Sequence, residues 1–436
     1  MTKVEKGLIT TRRGMLLGVG AAGSALAAGL GGAPAAETQG TQVTDAPVSD
    51  KTQERQPFYG KHQAGIVTPR PAAGMIASFH VLAQTPAEVE RLFRTLSERI
   101  AFLMKGGTPP AFDDKLPPAD SGLLGPVVPP DNLTMTVSLG SSFFDQRDWL
   151  VPHKPVRLSR MKASPNDALD ADLCHGDLAL QISSNTPDTN IHALRDILKN
   201  LPDLMVLRWK QEGSVPVLPP KPDGSHESAR NFLGFRDGSA NPDAGNAALM
   251  DRVVWVSEGS DEPAWSQGGT YQVVRIIRNF VERWDRTPLG EQERIIGRKK
   301  ATGAPFGGGT TEHDLPDYAK DPEGQVTPLD AHIRMANHRN ATSDANLILR
   351  RPFNYSNGVS KSGQLEQGLL FICYQADLER GFITVQRQLD GEPLEEYIKP
   401  IGGGFFFTPP GPLDETDFVG RTLLEATGHA VTRIKS

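Results

Sequence analysis

The order of strand-like and helix-like segments in the first half of the chain most constrains its fold. Short apolar runs suited to strands alternate with segments whose apolar residues recur at helical spacing. The resulting order is strand, helix, strand, strand, helix, strand, at residues 74–83, 87–104, 135–139, 177–182, 190–201 and 204–209. This is the split βαβ pattern of a ferredoxin-like unit, in which helices cover one face of an antiparallel sheet.

The second half repeats this pattern after a proline-rich connection at residues 216–222. A long insertion at about 297–365 interrupts it and is predicted to form a pocket against the second sheet. The pattern predicts an α+β protein with two ferredoxin-like domains, at residues 65–222 and 223–436. The predicted strands are 253–256, 269–277, 368–374 and 401–407, and the predicted helices are 281–286, 289–297 and 382–389.

The N-terminus is typical of an export signal. Arg12 and Arg13 precede a run of small and weakly apolar residues at 17–30, and Ala33-Pro34-Ala35 offers a cleavage site. The run is shorter and less apolar than a membrane span, although a transmembrane anchor is the alternative. We therefore predict a twin-arginine signal at residues 1–35, a flexible lead-in at 36–64, and a periplasmic or otherwise exported protein.

Composition narrows the classes of function. The 436-residue chain carries a net charge of −6, which disfavours a nucleic-acid partner. Its two cysteines, Cys174 and Cys373, are too few for a disulfide framework, although a single bridge between them stays open. Cys174-His175 matches the end of a covalent haem attachment motif, but Ala171 occupies the position of the first cysteine, which argues against covalent haem.

A segment rich in histidine and arginine, residues 331–339, carries the clearest chemical signal. His332 and His338 are six residues apart, so on one helix they would lie on different faces and would not share a metal. A single imidazole among arginines suits an iron whose other ligands come from an anionic macrocycle. Haem fits, because its porphyrin supplies four ligands and its propionates favour arginine. The alternative is an ordinary surface or core histidine.

The second unusual segment is residues 234–242, with the sequence Gly-Phe-Arg-Asp-Gly-Ser-Ala-Asn-Pro. Its glycines and its Asn-Pro ending predict a shaped loop rather than a helix. One interpretation is a surface turn with a local ion pair between Arg236 and Asp237. The functional interpretation places Asp237 over a haem face, with Gly238, Ser239 and Ala240 allowing close approach of the backbone to the porphyrin.

Taken together and in order, these motifs resemble the dye-decolourising (DyP-type) peroxidases. Segments 354–356, 363–375 and 399–404 resemble the exported deferrochelatase/peroxidase branch of that family. The resemblance extends from about Gly65 to the C-terminus. It implies two ferredoxin-like domains, one haem b per chain, hydrogen peroxide as the oxidant and a homodimer.

The resemblance also implies roles for individual residues. His332 corresponds to the proximal iron ligand, Asp237 to the distal acid/base, and Arg350 to the distal arginine. The family often has proline where this chain has His338, which leaves a second imidazole near the first. Phe371 is expected on the distal face, with ordinary core packing as the alternative. The other residues expected to line the haem and its propionates are Gly238, Ser239, Ala240, Asn337, His338 and Arg339.

Three functions follow as hypotheses. The first is a peroxidase that oxidises an unknown organic donor. The second is release of iron from haem with the porphyrin ring intact, beside components of an iron-uptake system. The third is a haem carrier without catalysis, although simple carriage needs no pairing of Asp237 with Arg350. A non-haem metalloprotein is a further alternative. Aromatic candidates for electron transfer, with core packing as the alternative, are Trp209, Trp255, Trp265, Trp284, Tyr271 and Tyr374.

Overall fold

The structure is a computed structural model, and it describes residues 51–111, 114–222, 224 and 227–431. The predicted signal at residues 1–35 and most of the predicted lead-in lie outside the described residues. The described end of the lead-in packs on the sheet: Phe58 is buried, and the Gln63 side chain donates to the carbonyls of Val137 (3.0 Å) and Pro409 (2.9 Å). No helix in the described ranges is both long and apolar enough to cross a bilayer.

The first half forms the six predicted elements in the predicted order. The four strands in its described ranges pair in the order β2-β3-β1-β4, and all these pairings are antiparallel. The elements are β1 (Ala73–Val81), α1 (Pro86–Lys105), β2 (Thr134–Gly140), the short α2 (Ser141–Asp145), β3 (Leu178–Ser184), α3 (Pro187–Asn200) and β4 (Met205–Ser214).

The start of α1 shows how local sequence sets an element. The Thr85 hydroxyl caps the helix by accepting a hydrogen bond from the Glu88 amide, and the Glu88 carboxylate accepts one from the Thr85 amide. Pro86 occupies the first turn, where its missing N–H costs nothing. The apolar residues predicted at helical spacing are all buried against the sheet, namely Val89, Leu92, Phe93 and Leu96.

The described residues of the second half form five strands, which pair in the order β9-β5-β8-β7, with the two-residue β6 also on β8. The strands are β5 (Thr270–Asn279), β6 (Leu349–Arg350), β7 (Phe353–Val359), β8 (Leu365–Gln375) and β9 (Ile398–Thr408). The helices are α4 (Ala247–Val253), α5 (Val281–Trp284), α6 (Leu289–Ile296), α7 (His332–Ala336), α8 (Ala341–Asp344), α9 (Thr384–Leu389, preceded by a π-helical turn at Glu379–Ile383) and α10 (Arg421–Ala426).

The strands of the two halves join into one closed sheet. β2 pairs with β9 through Gly140 and Phe406, β4 pairs with β7 through Ser214 and Asn354, and β5 pairs with β8. The described residues accordingly group into one compact unit. The predicted mixture of helices and antiparallel strands is confirmed, whereas the closure of the sheet was not foreseen.

One predicted strand of the second half was wrong, and two strands were missed. Residues 253–256 are the end of α4 and the turn after it rather than a strand, because Asn246 caps a helix there by accepting from the Leu249 amide (3.1 Å). Strands β6 and β7 were missed, since β6 is only two residues long and Pro352 separates it from β7. A short apolar run suits a buried helix end as well as a strand, so periodicity alone could not decide.

The cysteines and the aromatic candidates are core residues. Cys174 and Cys373 are both buried and both free, so the bridge that the sequence left open is not formed. The six aromatic residues considered for electron transfer are each at most 6 % exposed. Their burial favours the core-packing interpretation.

Candidate active site

A cavity of about 290 Å³ lies against β5 and β8, and the inserted segment and α9 cover it. Its wall brings together His332, Asp237 and Arg350, which are far apart in the sequence. The wall also includes most of the other residues singled out from the sequence, namely Gly238, Ser239, Ala240, Asn337, Arg339 and Phe371. His338 is the exception: it is exposed and is not part of the wall.

His332 is the first residue of α7, and a buried carboxylate orients its ring. Its Nδ1 lies 2.6 Å from Oε2 of Glu392, whose side chain is only 4 % exposed. Burial by itself would lower the pKa of His332, but the charge and hydrogen bond of Glu392 outweigh it and raise that pKa overall. With Nδ1 engaged, Nε2 is the nitrogen left to bind a metal, which is the usual arrangement of a metal-binding histidine.

Asp237 and Arg350 form an ion pair on the same cavity wall. Arg350 Nη1 lies 3.1 Å from Asp237 Oδ1, and their side chains are 28 % and 13 % exposed. Asp237 comes from the loop predicted from the sequence, and Arg350 comes from β6. The pair therefore places an acid/base group and a fixed cation side by side in a mostly enclosed space.

The loop that carries Asp237 is shaped by main-chain contacts. The Asp237 amide donates to the Ala229 carbonyl (2.9 Å), and Gly238 has φ of +150°, with Ser228 Oγ only 2.9 Å from where a Cβ would lie. Ser239 Oγ donates to Oε2 of the buried Glu312 (2.9 Å). The neighbouring Arg236 pairs with Glu227 rather than with Asp237, so the interpretation as a turn with a local Arg-Asp pair is wrong.

Two arginines on the wall, Arg298 and Arg339, hold no carboxylate within hydrogen-bonding distance among the described residues. Arg298 is buried and donates to the carbonyls of Gly303 (2.7 Å) and Glu312 (3.0 Å). Its pKa is lowered by burial and then by the nearby charge of Arg339. Arg339 Nε is buried and has no hydrogen-bond partner within the described part of the chain. Two adjacent cations of this kind favour an anionic ligand.

Asn337 supports Arg339 from within the turn rather than by pointing a free amide oxygen at the cavity. Its Oδ1 accepts from the Arg339 amide (2.8 Å) and from Ser343 Oγ (2.8 Å). Arg339 has φ of +56°, the left-handed region that non-glycine residues rarely adopt. The two bonds to Asn337 help to hold this conformation.

These residues fit haem. His332 lines the cavity with its Nδ1 held by Glu392, which leaves Nε2 for iron, and Arg298 and Arg339, which have no carboxylate partner among the described residues, suit the propionates. Much of the remaining wall is apolar, including Leu233, Phe235, Ile296, Leu347, Phe371, Phe382 and Leu389. Within the described ranges, no group of three or more His, Cys, Asp or Glu side chains could hold a metal ion by itself. An iron at His332 therefore needs a macrocycle to supply its other ligands.

Sequence reasoning missed three supporting residues of the site. Glu392 is 60 residues from its partner His332. Asn241 is 109 residues from its partner Arg350, and Glu312 is 73 residues from its partner Ser239. No motif links such distant partners. Of the three, only Asn241 lay in a segment singled out from the sequence, as part of the Asn-Pro ending of the Asp237 loop.

Comparisons with known proteins agree with this site. Residues 63–214 match the family described as Dyp-type peroxidase, N-terminal, and residues 228–413 match Dyp-type peroxidase, C-terminal. A deferrochelatase of Escherichia coli O6:K15:H31 is 55 % identical over 416 residues, which is 95 % of this chain and 97 % of that protein. A deferrochelatase of Yersinia pseudotuberculosis is 54 % identical over 423 residues, which is 97 % of this chain and 96 % of that protein.

Solved structures extend the similarity to the fold. Ferric DtpA from Streptomyces lividans superimposes with a TM-score of 0.77 at 35 % identity, covering 87 % of this chain and 100 % of that one. A DyP-type peroxidase from Cellulomonas bogoriensis gives a TM-score of 0.75 at 35 % identity, covering 86 % of this chain and 99 % of that one. The resemblance recognised from the motifs is confirmed.

Proposed function

Because this chain belongs to the Dyp-type peroxidase family, we propose that it reduces hydrogen peroxide with one haem b bound at His332 and oxidises an organic donor. The observation that carries the proposal is the Asp237–Arg350 pair on the same cavity wall as His332. A protein that only carried haem would need an axial ligand but no acid/base beside a fixed cation.

In binding haem, the protein would orient one iron ligand and neutralise the negative charges of the two propionates. His332 would bind iron through Nε2, with Glu392 holding the ring and increasing its basicity. Arg298 and Arg339 would pair with the propionates. Phe371 and its apolar neighbours would pack on the ring and exclude water. Bound haem supplies the redox chemistry of iron, which none of these side chains provides.

Asp237 would move the proton that peroxide cleavage requires. Its Oδ1 bonds to Arg350, so Oδ2 is the oxygen available to take a proton from one peroxide oxygen and return it to the other, which leaves as water. General acid/base catalysis of this kind typically contributes about 10²–10⁴ in rate. The guanidinium of Arg350 is already in place to stabilise negative charge on the departing oxygen.

A variant pair tests this proposal. In the haem-loaded protein, Asp237→Asn should lower kcat/KM for peroxide by about 10²-fold or more, because the amide cannot carry the proton. Asp243→Asn, six residues further along and exposed, is the matched control and should stay within about twofold of the wild type. Equal activity of Asp237→Asn and the wild type would contradict the role of Asp237 as the acid/base. Unchanged haem affinity in His332→Ala would contradict the assignment of His332 as the iron ligand.

A second activity, release of iron from haem with the ring intact, is favoured by the relatives. Two proteins more than half identical to this chain over nearly their whole length are named deferrochelatases. We propose that the same cavity performs this reaction. Incubation with haem and a reductant should then yield fluorescent, metal-free porphyrin in an amount equal to the iron released. Recovery of all the haem intact, or opening of the ring, would refute it.

We further propose export by the twin-arginine route, cleavage near residue 35 and function in the periplasm. The Arg12-Arg13 pair and the small-residue run after it support this proposal. Replacing both arginines by lysine should leave the full-length precursor in the cytoplasm on cell fractionation. An exported, processed double variant would exclude this route.

The assembly and its internal organisation are also proposals. We propose a homodimer that works beside components of an iron-uptake system, and sedimentation of the purified protein tests the dimer directly. We also propose that each half is one ferredoxin-like unit, as residues 65–222 and 223–436. The strand order β2-β3-β1-β4, with helices between the strands, supports this organisation for the first half.

A further inference from the structure

Asn241 makes two hydrogen bonds to the main chain of Arg350. The Arg350 amide donates to Asn241 Oδ1 (2.8 Å), and Asn241 Nδ2 donates to the Arg350 carbonyl (3.0 Å). One side-chain amide thus satisfies both main-chain groups of the distal arginine, as a neighbouring strand would.

The pairing of β6 with β8 explains why the amide and carbonyl of Arg350 take their hydrogen-bond partners from Asn241. Arg350 lies opposite Cys373 of β8, and the next residue, Arg351, donates its amide to the Ile372 carbonyl (2.7 Å). In an antiparallel pair, successive residues direct their amides alternately toward and away from the partner strand. The amide and carbonyl of Arg350 therefore point away from β8, where the Asn241 side chain meets them.

The same residue belongs to the loop that carries Asp237. The Asn241 amide donates to the Gly238 carbonyl (2.9 Å), which closes a turn directly after Asp237. Pro242 follows, and a residue before proline is restricted to extended conformations, which limits the directions the Asn241 side chain can take. Asn241 is half-buried and does not line the cavity.

We infer that Asn241 is a positioning residue that sets the contact between Asp237 and Arg350. It joins the main chain of the arginine strand to the turn that follows the acid, so the 3.1 Å contact between the two side chains depends on it. The inference rests on the proposed peroxidase function, in which both side chains act on one peroxide. Misplacement of catalytic groups by about 1 Å can cost about 10²-fold in rate.

A double-mutant cycle on the haem-loaded, full-length protein tests this role. Asn241→Ala alone should lower kcat/KM for peroxide by about 10–100-fold and leave KM for the organic donor unchanged. In an Arg350→Ala background, the same change should cost less than about threefold, because the arginine it positions is gone. Asn246→Ala, which removes the cap of α4 instead, is the matched control and should behave like the wild type in kcat/KM.

A readout that does not depend on activity separates this inference from the proposed function. Amide hydrogen exchange of the peptide containing Arg350 should accelerate in Asn241→Ala, while exchange in β5 stays as in the wild type. Unchanged exchange at Arg350, or equal losses of kcat/KM in both backgrounds, would overturn the positioning role. A haem-loaded wild type that does not consume peroxide would overturn the proposed function instead, and the exchange result would still decide whether Asn241 holds Arg350.

Discussion

At the scale of single residues, the hydrogen bond between His332 and Glu392 determines how strongly the imidazole donates to a metal. A carboxylate partner gives the ring partial imidazolate character and so favours ferric over ferrous iron. The carboxylate of Glu395, on the same cavity wall, instead accepts from the Gly391 amide (2.9 Å). The two glutamates therefore form a natural comparison.

Glu392→Gln should raise the reduction potential of the bound haem and weaken haem binding by about 10–100-fold, because a neutral amide stabilises the donor less. Spectroelectrochemical titration and Soret titration measure the two effects. Glu395→Gln should match the wild type in both. If the two variants gave the same potential, the Glu392 carboxylate would not be tuning the ligand.

Arg339 carries a second prediction at this scale. Its buried Nε has no hydrogen-bond partner among the residues that the structure describes, so a haem propionate is expected to supply one. Arg339→Gln should weaken binding of haem by about tenfold, in the range of one charge-assisted hydrogen bond. Haem dimethyl ester, whose propionates carry no charge, should bind the wild type and the variant with the same Kd. A loss of affinity that persists with the ester would show that Arg339 acts by packing.

At the scale of elements, His175 lies at the centre of the turn that leads into β3, and its ring is partly buried. His175 has φ of +62°, its amide donates to the Gly403 carbonyl (2.7 Å), and its carbonyl accepts from Ser78 Oγ and Trp209 Nε1. Burial, followed by the charges of Arg160 and Arg208, lowers the pKa of His175 to about 4. The main chain of His175 thus bonds this turn to β1, β4 and β9.

This pKa predicts how stability depends on pH. Below about pH 6.5 the unfolded chain takes up a proton at His175 and the folded chain does not, so this contribution is full above pH 6.5 and is lost as pH falls toward 4. His175→Asn, which tolerates the left-handed conformation, should show a shallower fall in urea midpoint over that interval. His153→Asn should follow the wild type. Superimposable curves for His175→Asn and wild type would contradict the prediction.

At the scale of the whole molecule, closure of the sheet couples the two halves. Phe406 of β9 is fully buried and lies opposite Gly140 of β2 and Gln272 of β5, so it contacts strands from both halves. Phe93 of α1 is equally buried; its ring packs near that of Phe143 in the first half and also lies against Gly420 of the second half. Substitution of each of these two phenylalanines tests whether the two halves unfold together.

The haem-free protein should unfold in one transition, and Phe406→Ala and Phe93→Ala should each shift all of it. Either substitution should cost about 3–5 kcal/mol, the usual range for a fully buried phenylalanine. Calorimetry with near-UV circular dichroism measures this, since coincident curves indicate a single cooperative unit. Two transitions, only one of them moved by Phe93→Ala, would mean that the halves are independent domains.

Most of the structural features that were predicted correctly from the sequence follow from local physical rules. The six elements of the first half follow from apolar periodicity and from the Thr85 cap, which act over a few residues. The Asp237 loop follows from its glycines and Pro242. The pairing of β2 with β9 and the existence of β6 do not follow, because hydrogen bonds between distant strands leave no periodic signal in a two-residue segment.

By itself, the sequence determined the chemical groups of this protein: one imidazole segment among arginines, a loop that presents Asp237, and a strand-helix order that repeats. The resemblance had already assigned the iron ligand to His332, and the tertiary structure adds that this histidine lines the cavity against Glu392 whereas His338 is exposed. Only the tertiary structure brought Arg350 to Asp237 through Asn241. The physical reason is that side-chain type and local backbone preference act within a few residues, whereas a buried charge finds its partner through packing of the whole chain.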